Sequence, residues 1–183
     1  MAKGRGHGAK RLESRASRRR RRFAWLIGIG TAVVLAGAGS YWLWPQGWER
    51  PGQFFPSLGN QHLATADVPH VPYNSNPPTS GPHLPYTAPW GIHTEPIRPE
   101  LQVHNLEDGG VLVQYNCDCP ELQAKLRAIV ERYQDRVILA PYPSMKTRIA
   151  LTAWTRLDAF NDFDERRIVR FIEAYRGIDH HER

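Results

Sequence analysis

Val111-Leu112-Val113-Gln114-Tyr115, followed after Cys117-Asp118-Cys119 by Pro120-Glu121-Leu122-Gln123-Ala124-Lys125-Leu126-Arg127-Ala128-Ile129-Val130, marks the change of period from which the fold is read. The first five residues are apolar and β-branched enough for a strand, and Gly109-Gly110 before them permits a tight turn or bulge. Pro120 stands where the first turn of a helix tolerates proline, and Leu122, Leu126, Ile129, Val130 and Tyr133 then fall on one helical face. Val137–Tyr142 and Ile149–Trp154 read as two further strands, and the turn residues around Pro143-Ser144-Met145-Lys146 predict that they form a hairpin. The last predicted element starts at Asp162 as N-cap, with Glu165 in the capping-box position. Ile168, Phe171, Ile172 and Tyr175 form its buried stripe, Arg166, Arg167, Arg170 and Glu173 face water, and Gly177 ends it. Strand, helix, strand, strand, helix implies an α+β fold, a small mixed sheet with two helices. A domain of about 120 residues can build such a core without a cofactor.

Upstream the character changes. Pro45 to Pro99 carries twelve of the fifteen prolines, which break helix interiors and central strands. Residues 45–67 read as a linker and 68–183 as the domain. Tyr73, Tyr86 and Trp90 predict that the later part of this long Pro-rich loop lies ordered over the core.

The formal charge of +6 suggests a polyanion or anionic-surface binder until the charges are located. Ten Lys/Arg against the single Glu13 lie in residues 1–22, leaving fourteen basic and seventeen acidic side chains in the other 161 residues. The basicity belongs to the tail, and nothing in the body points to nucleic acid. Residues 1–17 are Gly-, Arg- and Ser-rich and read as disordered, and Arg18–Arg22 follow. Phe23–Trp44 is then free of charge for twenty-two residues, matching the ~20 that a helix needs to cross a bilayer. It ends in the interfacial aromatics Tyr41, Trp42 and Trp44. The arginine block predicts a single pass through the cytoplasmic (inner) membrane, with the N-terminus in the cytoplasm and everything after Trp44 outside it. Ala36-Gly37-Ala38 offers an alternative as a signal-peptide cleavage site, and Arg20-Arg21-Arg22-Phe23 loosely resembles a twin-arginine signal; the body is exported either way.

Chemistry concentrates between Asn74 and Tyr115, where His83, His93, His104, Glu107 and Asp108 sit among Pro and Gly with no helical period. His83, His104 and Asp108 form the leading constellation: two imidazoles and a carboxylate are ordinary ligands for zinc or iron. His104 and Asp108 share a face if the segment makes a helical turn. The other reading is structural, with the histidines bonded to loop carbonyls and Asp108 capping a turn. Met145 at the expected hairpin tip could add a soft thioether ligand for copper, or fill core space. Glu107 reads either as an outer partner orienting an imidazole or as a solvated charge. Cys117 and Cys119 are the only cysteines, too few for a structural zinc site, and read as two thiols or a local staple, with a soft-metal thiolate role a further option. Thr79-Ser80-Gly81 lacks the elbow of a nucleophilic serine, and His180-His181 reads as a frayed end, though a pair of imidazoles can collect metal adventitiously.

Asn76-Pro77-Pro78-Thr79-Ser80-Gly81-Pro82-His83, paired with Val103-His104-Asn105-Leu106-Glu107-Asp108-Gly109-Gly110, resembles the bacterial domain of unknown function family 3105. The resemblance extends from Val68 to the C-terminus and implies a membrane-anchored extracytoplasmic domain, in a family without an established biochemical function. The family pattern has histidine where this chain has Asp108. A third imidazole there would suit copper or zinc. Two functions follow as expectations: a module that binds a transition metal (copper, zinc or iron), or a non-catalytic module that binds an envelope protein through the Pro- and aromatic-rich loop. A metal-dependent enzyme is the third.

Overall fold

The computed structural model describes residues 50–181. Its strands are β1 (Gln53–Phe54), β2 (Gly91–Ile92), β3 (Val111–Tyr115), β4 (Val137–Pro141), β5 (Ile149–Ala153) and β6 (Arg156–Phe160). Its helices are α1 (Pro99–Glu107), α2 (Pro120–Val130) and α3 (Glu165–Tyr175). The strands make one mixed sheet in the order β1-β6-β5-β3-β4-β2. β4 runs parallel to β2 and β3, and the remaining pairs are antiparallel. The α+β expectation holds, with three helices where two were expected.

β3 is central because it is apolar on both faces. Val111 and Val113 join Leu126, Ile129, Leu151, Phe171 and Ile172 in one core beneath α2 and α3. Leu112 joins Val103, Leu106, Ile138 and Ala140 in a second core beneath α1. An antiparallel sheet with one wet face would alternate; here both faces are covered, so strand residues are buried in succession.

The predicted hairpin of β4 with β5 does not form. Both pair with β3, which lies between them, at Val113↔Leu139 and Val113↔Leu151. The connecting loop crosses the end of β3, where Tyr142 N–H donates to Tyr115 O and Asn116 N–H to Arg148 O. Apolar runs like these seek interior positions, and turn residues between two strands do not require that the two pair. The actual hairpin joins β5 to β6 through Trp154-Thr155, with Thr155 at φ 61°.

Residues 50–67 are not a linker. β1 pairs with β6, Tyr175 Oη donates to Pro51 O at 2.6 Å, and Leu63 is buried. α1 is the second departure. Gln102 through Glu107 are all buried, and a helix enclosed on every side has no polar face to give it a period. Pro99 occupies its first turn, as Pro120 does in α2. α3 is capped by Asp164, not Asp162: Asp164 Oδ1 accepts from Arg167 N–H at 3.1 Å. Phe163 packs against the core just before it, which sets where the chain turns into the helix. The buried stripe of α3 is the expected one, and Gly177 follows its end at φ 85°.

Cys117 and Cys119 are joined by a disulfide. The local-staple reading is the one realised, and the free-thiol reading is not.

Among the described residues no helix is long and apolar enough to cross a membrane. The span at residues 23–44 and the tail at 1–22 lie outside the described residues.

Candidate metal centre

Three segments distant in sequence build the site. The Pro-rich loop enters first: His83 N–H donates to Gln61 O (2.9 Å) and Leu63 N–H to His83 O (2.7 Å), so His62 and His83 lie side by side in a parallel bridge. Thr79, Ser80 and Gly81 hold this loop. Ser80 Oγ accepts from Leu58 N–H, Thr79 O accepts from Thr155 N–H, and Gly81 N–H donates to Gly59 O. These residues are scaffold and are not arranged as a nucleophile.

α1 supplies the second group. His104 and Glu107 are three apart and project to one side, with Asp108 at the C-cap. Asn105 fastens the helix to the loop by exchanging two bonds with the backbone of Ala88, both 2.9 Å.

The C-terminal tail is the third, and Gly109 explains how it comes so near. Gly177 N–H donates to Gly109 O (2.7 Å) and His180 N–H to Glu107 O (2.9 Å). A Cβ on Gly109, which sits at φ 77°, would lie 2.7 Å from the backbone of Ile178. A Cβ on Gly110 would collide with Asn105 O and the Trp90 ring. Only glycine lets tail and helix meet here. The tail then lays His180 over Trp154, ring centroids 6.0 Å apart, and delivers His181 to the site.

At the centre is the Glu107 carboxylate, with no solvent exposure. Around its Oε2 stand His83 Nε2 at 2.9 Å, His181 Nε2 at 3.6 Å, and His62 Nε2 and His104 Nδ1 at 3.8 Å. His83 Nδ1 lies 2.7 Å from Gly81 O. A carbonyl can only accept, so Nδ1 carries the proton and Nε2 is the nitrogen that faces the carboxylate. A metal-bound imidazole is commonly oriented in this way, by donating its other N–H to a carbonyl. His104 Nδ1 and Glu107 Oε1 are buried and have no hydrogen-bond partner. Burial pulls His104 below the ordinary imidazole range, against the opposing pull of Asp108, which keeps it a neutral potential ligand near pH 7.

Ligand atoms of His62, His83, His104 and Glu107 all lie within 4.8 Å of one another, and the same holds for His104, Asp108 and His181. Drawing the widest separations of the first set in by about an ångström would place each donor ~2.0–2.2 Å from one cation. The residues present therefore fit a metal.

Of the residues expected from sequence, His83 and His104 come together, their ring centroids 5.1 Å apart. Asp108 meets His104 from the other side, its Oδ1 3.9 Å from Nε2. Met145 is buried with Tyr142, Ala150 and Leu157 in a separate apolar cluster, the position of a core-filling side chain. His93 is bonded to Pro89 O. Glu107 is the hub of the cluster and not a solvated charge. His62 lay hidden in the segment read as linker, and nothing local marks it. His181, read as a frayed end, is foreshadowed by its pairing with His180 and by Gly109, whose lack of a side chain makes room for the tail.

Fold and site together define a class: a single α+β domain enclosing a cluster of histidines around a buried carboxylate. The chain belongs to the family described as protein of unknown function (DUF3105), whose profile matches residues 65–183. His62 stands just ahead of the matched span. No curated protein matches the chain. No solved structure matches it.

Proposed function

We propose that this chain is a single-pass membrane protein whose C-terminal domain, outside the cytoplasm, holds a divalent transition metal at His62, His83, His104 and Glu107. The observation that carries the reading is the convergence of imidazoles on Glu107 Oε2, with two buried polar atoms of the cluster lacking any partner. A buried carboxylate with one oxygen unpaired is expensive, and a cation supplies the missing partner.

Three imidazoles and one carboxylate form a borderline donor set. It suits Zn2+, Cu2+ or Fe2+ better than Mg2+ or Ca2+, which favour oxygen shells, or Cu(I), which favours sulfur. Four protein ligands fill a tetrahedral shell, an arrangement suited to holding an ion more than to opening it to substrate. His83 and His104 keep the roles expected of them, Glu107 replaces Asp108 as the carboxylate ligand, and Met145 drops out. The uncharged run 23–44 behind Arg18–Arg22 supports the membrane topology. The Cys117–Cys119 disulfide is in keeping with an oxidising compartment.

Calorimetric titration of the full chain with Zn2+ tests the site. We expect His83→Ala, His104→Ala and Glu107→Gln each to weaken binding by more than the roughly 10 to 100-fold typical of outer-shell partners, and His93→Ala to leave it unchanged. If the wild type binds no more tightly than the His83→Ala/His104→Ala double variant, the cluster is structural. The envelope-interaction reading then takes over, favoured by Val68, Val71 and Tyr86 standing exposed on the Pro-rich loop. For topology, a reporter active only outside the cytoplasm should work when fused after Pro45 and fail before Arg18; the reverse pattern overturns the export argument.

A further inference from the structure

We infer that the centre takes two metal ions, with the His104 ring between them: one at His62, His83, Glu107 and His104 Nδ1, the other at His104 Nε2, Asp108 and His181. This rests on the metal-binding reading of the first position.

The two nitrogens of one imidazole point in different directions, and here each direction ends in ligands. His104 Nδ1 faces Glu107 Oε2 at 3.8 Å, while Nε2 faces Asp108 Oδ1 at 3.9 Å. His181 Nε2 completes the second set, 3.7 Å from Asp108 Oδ1. His104 is the one residue common to both convergent groups. Its Nδ1 is buried without a partner, so the ring is not held in place by hydrogen bonding on that side.

His181 is prepared as His83 is. Its Nδ1 lies 2.7 Å from Asp179 Oδ1, which turns Nε2 toward the carboxylates of Asp108 (3.7 Å) and Glu107 (3.6 Å). A carboxylate behind a histidine, with the other nitrogen presented to a shared point, is the usual orientation of a metal ligand. The backbone bonds of Gly177 to Gly109 and of His180 to Glu107 hold this part of the tail in register with α1.

The two positions differ in access. Of the inner ligands Glu107 and His83 have no exposed side-chain surface while His62 is 46% exposed at the rim; in the outer set the Asp108 side chain is 34% and that of His181 42% exposed. The inner ion would be backed by protein on the side of Glu107 and His83 and reached past His62, whereas the outer one, with only three protein ligands, would have room for water or another small donor. Asp108 thus has a role of its own in this chain, as the carboxylate of the outer position.

Loading the full chain with Cu2+ and reading both stoichiometry and electron spin resonance tests the inference. We expect two ions per chain, with a doubly integrated signal well below two spins because the His104 ring, its N–H proton released to solvent as the second ion binds, couples the copper centres as an imidazolate. Asp108→Asn and His181→Ala should each reduce this to one ion and restore a one-spin signal. One ion in the wild type, unaffected by either variant, overturns the second position and leaves the first standing. A second ion that survives Asp108→Asn, or that shows no coupling, sits independently on the C-terminal histidines and overturns the bridge. No bound ion at all overturns both readings.

Discussion

The two faces of the sheet are built from different materials. Beneath α2 and α3 the core is aliphatic and aromatic, from Val111 and Leu126 to Phe171 and Ile172. Beneath α1 and the Pro-rich loop, apolar residues share the interior with Gln102, His104, Asn105, Glu107, Gln114, Thr152 and His83. Six buried side-chain atoms among the described residues lack a hydrogen-bond partner, on Glu100, Gln102, His104, Glu107, Gln114 and Thr152. Four of these residues lie on α1. Gln114 bonds back to Gln102, and Thr152 sits opposite Leu112 in the register, so the remaining two face the same way. One face satisfies the rules of packing and the other leaves polar groups in need of partners. Cores retain such groups at a cost in stability, and a functional site is a common place to find them.

That contrast can be broken by mutation. Ile172→Asp places an unpaired charge in the apolar face, costing several kcal/mol, on the order of the whole stability of a small domain. We expect no cooperative unfolding transition; a variant that melts like the wild type would show that α3 does not bury this side. Leu151→Ala, on the same face, should cost about 2–5 kcal/mol in denaturant unfolding. The Cys117–Cys119 bridge closes only a very short loop, so reducing it should cost no more than about 1–2 kcal/mol. Mass spectrometry of the unreduced chain should locate a two-dalton deficit in that peptide, and a larger loss of stability would mean that the bridge supports more than its own turn. The smallest effect is expected one residue from Leu151, at Thr152→Val. Removing a buried hydroxyl that has no partner should leave stability within about 1 kcal/mol of wild type or raise it. A loss as large as that of Leu151→Ala would erase the distinction between the faces.

Legibility in the sequence follows the same division. α2 and α3 pack one side against the sheet and show the other to water, so their apolar residues recur at helical spacing and their buried residues are predictable one by one. α1 has no such period because its surroundings are protein on every side. β6 is hard to read because Asp158 is buried opposite Leu151, where its carboxylate is met by the Arg167 guanidinium of α3. His83 and His104 stood out as candidates because they lie in two dense motifs. His62 did not, since it reaches the site through backbone pairing with His83, a contact that leaves no mark in local composition.

By itself the sequence determined the elements whose reason for forming is local: two amphipathic helices, three apolar strands, the proline-rich cover, and an uncharged run behind five arginines. Only the tertiary structure decided that β3 separates β4 from β5, that residues 50–67 belong to the fold, and that the clustered histidines and carboxylates are drawn from the loop, from α1 and from the tail. The physical reason is that amphipathicity is written within a few turns of chain, whereas a ligand set is a coincidence of directions in space. Glu107 looks alike as a solvated charge or as the hub of a histidine cluster until the chain closes around it.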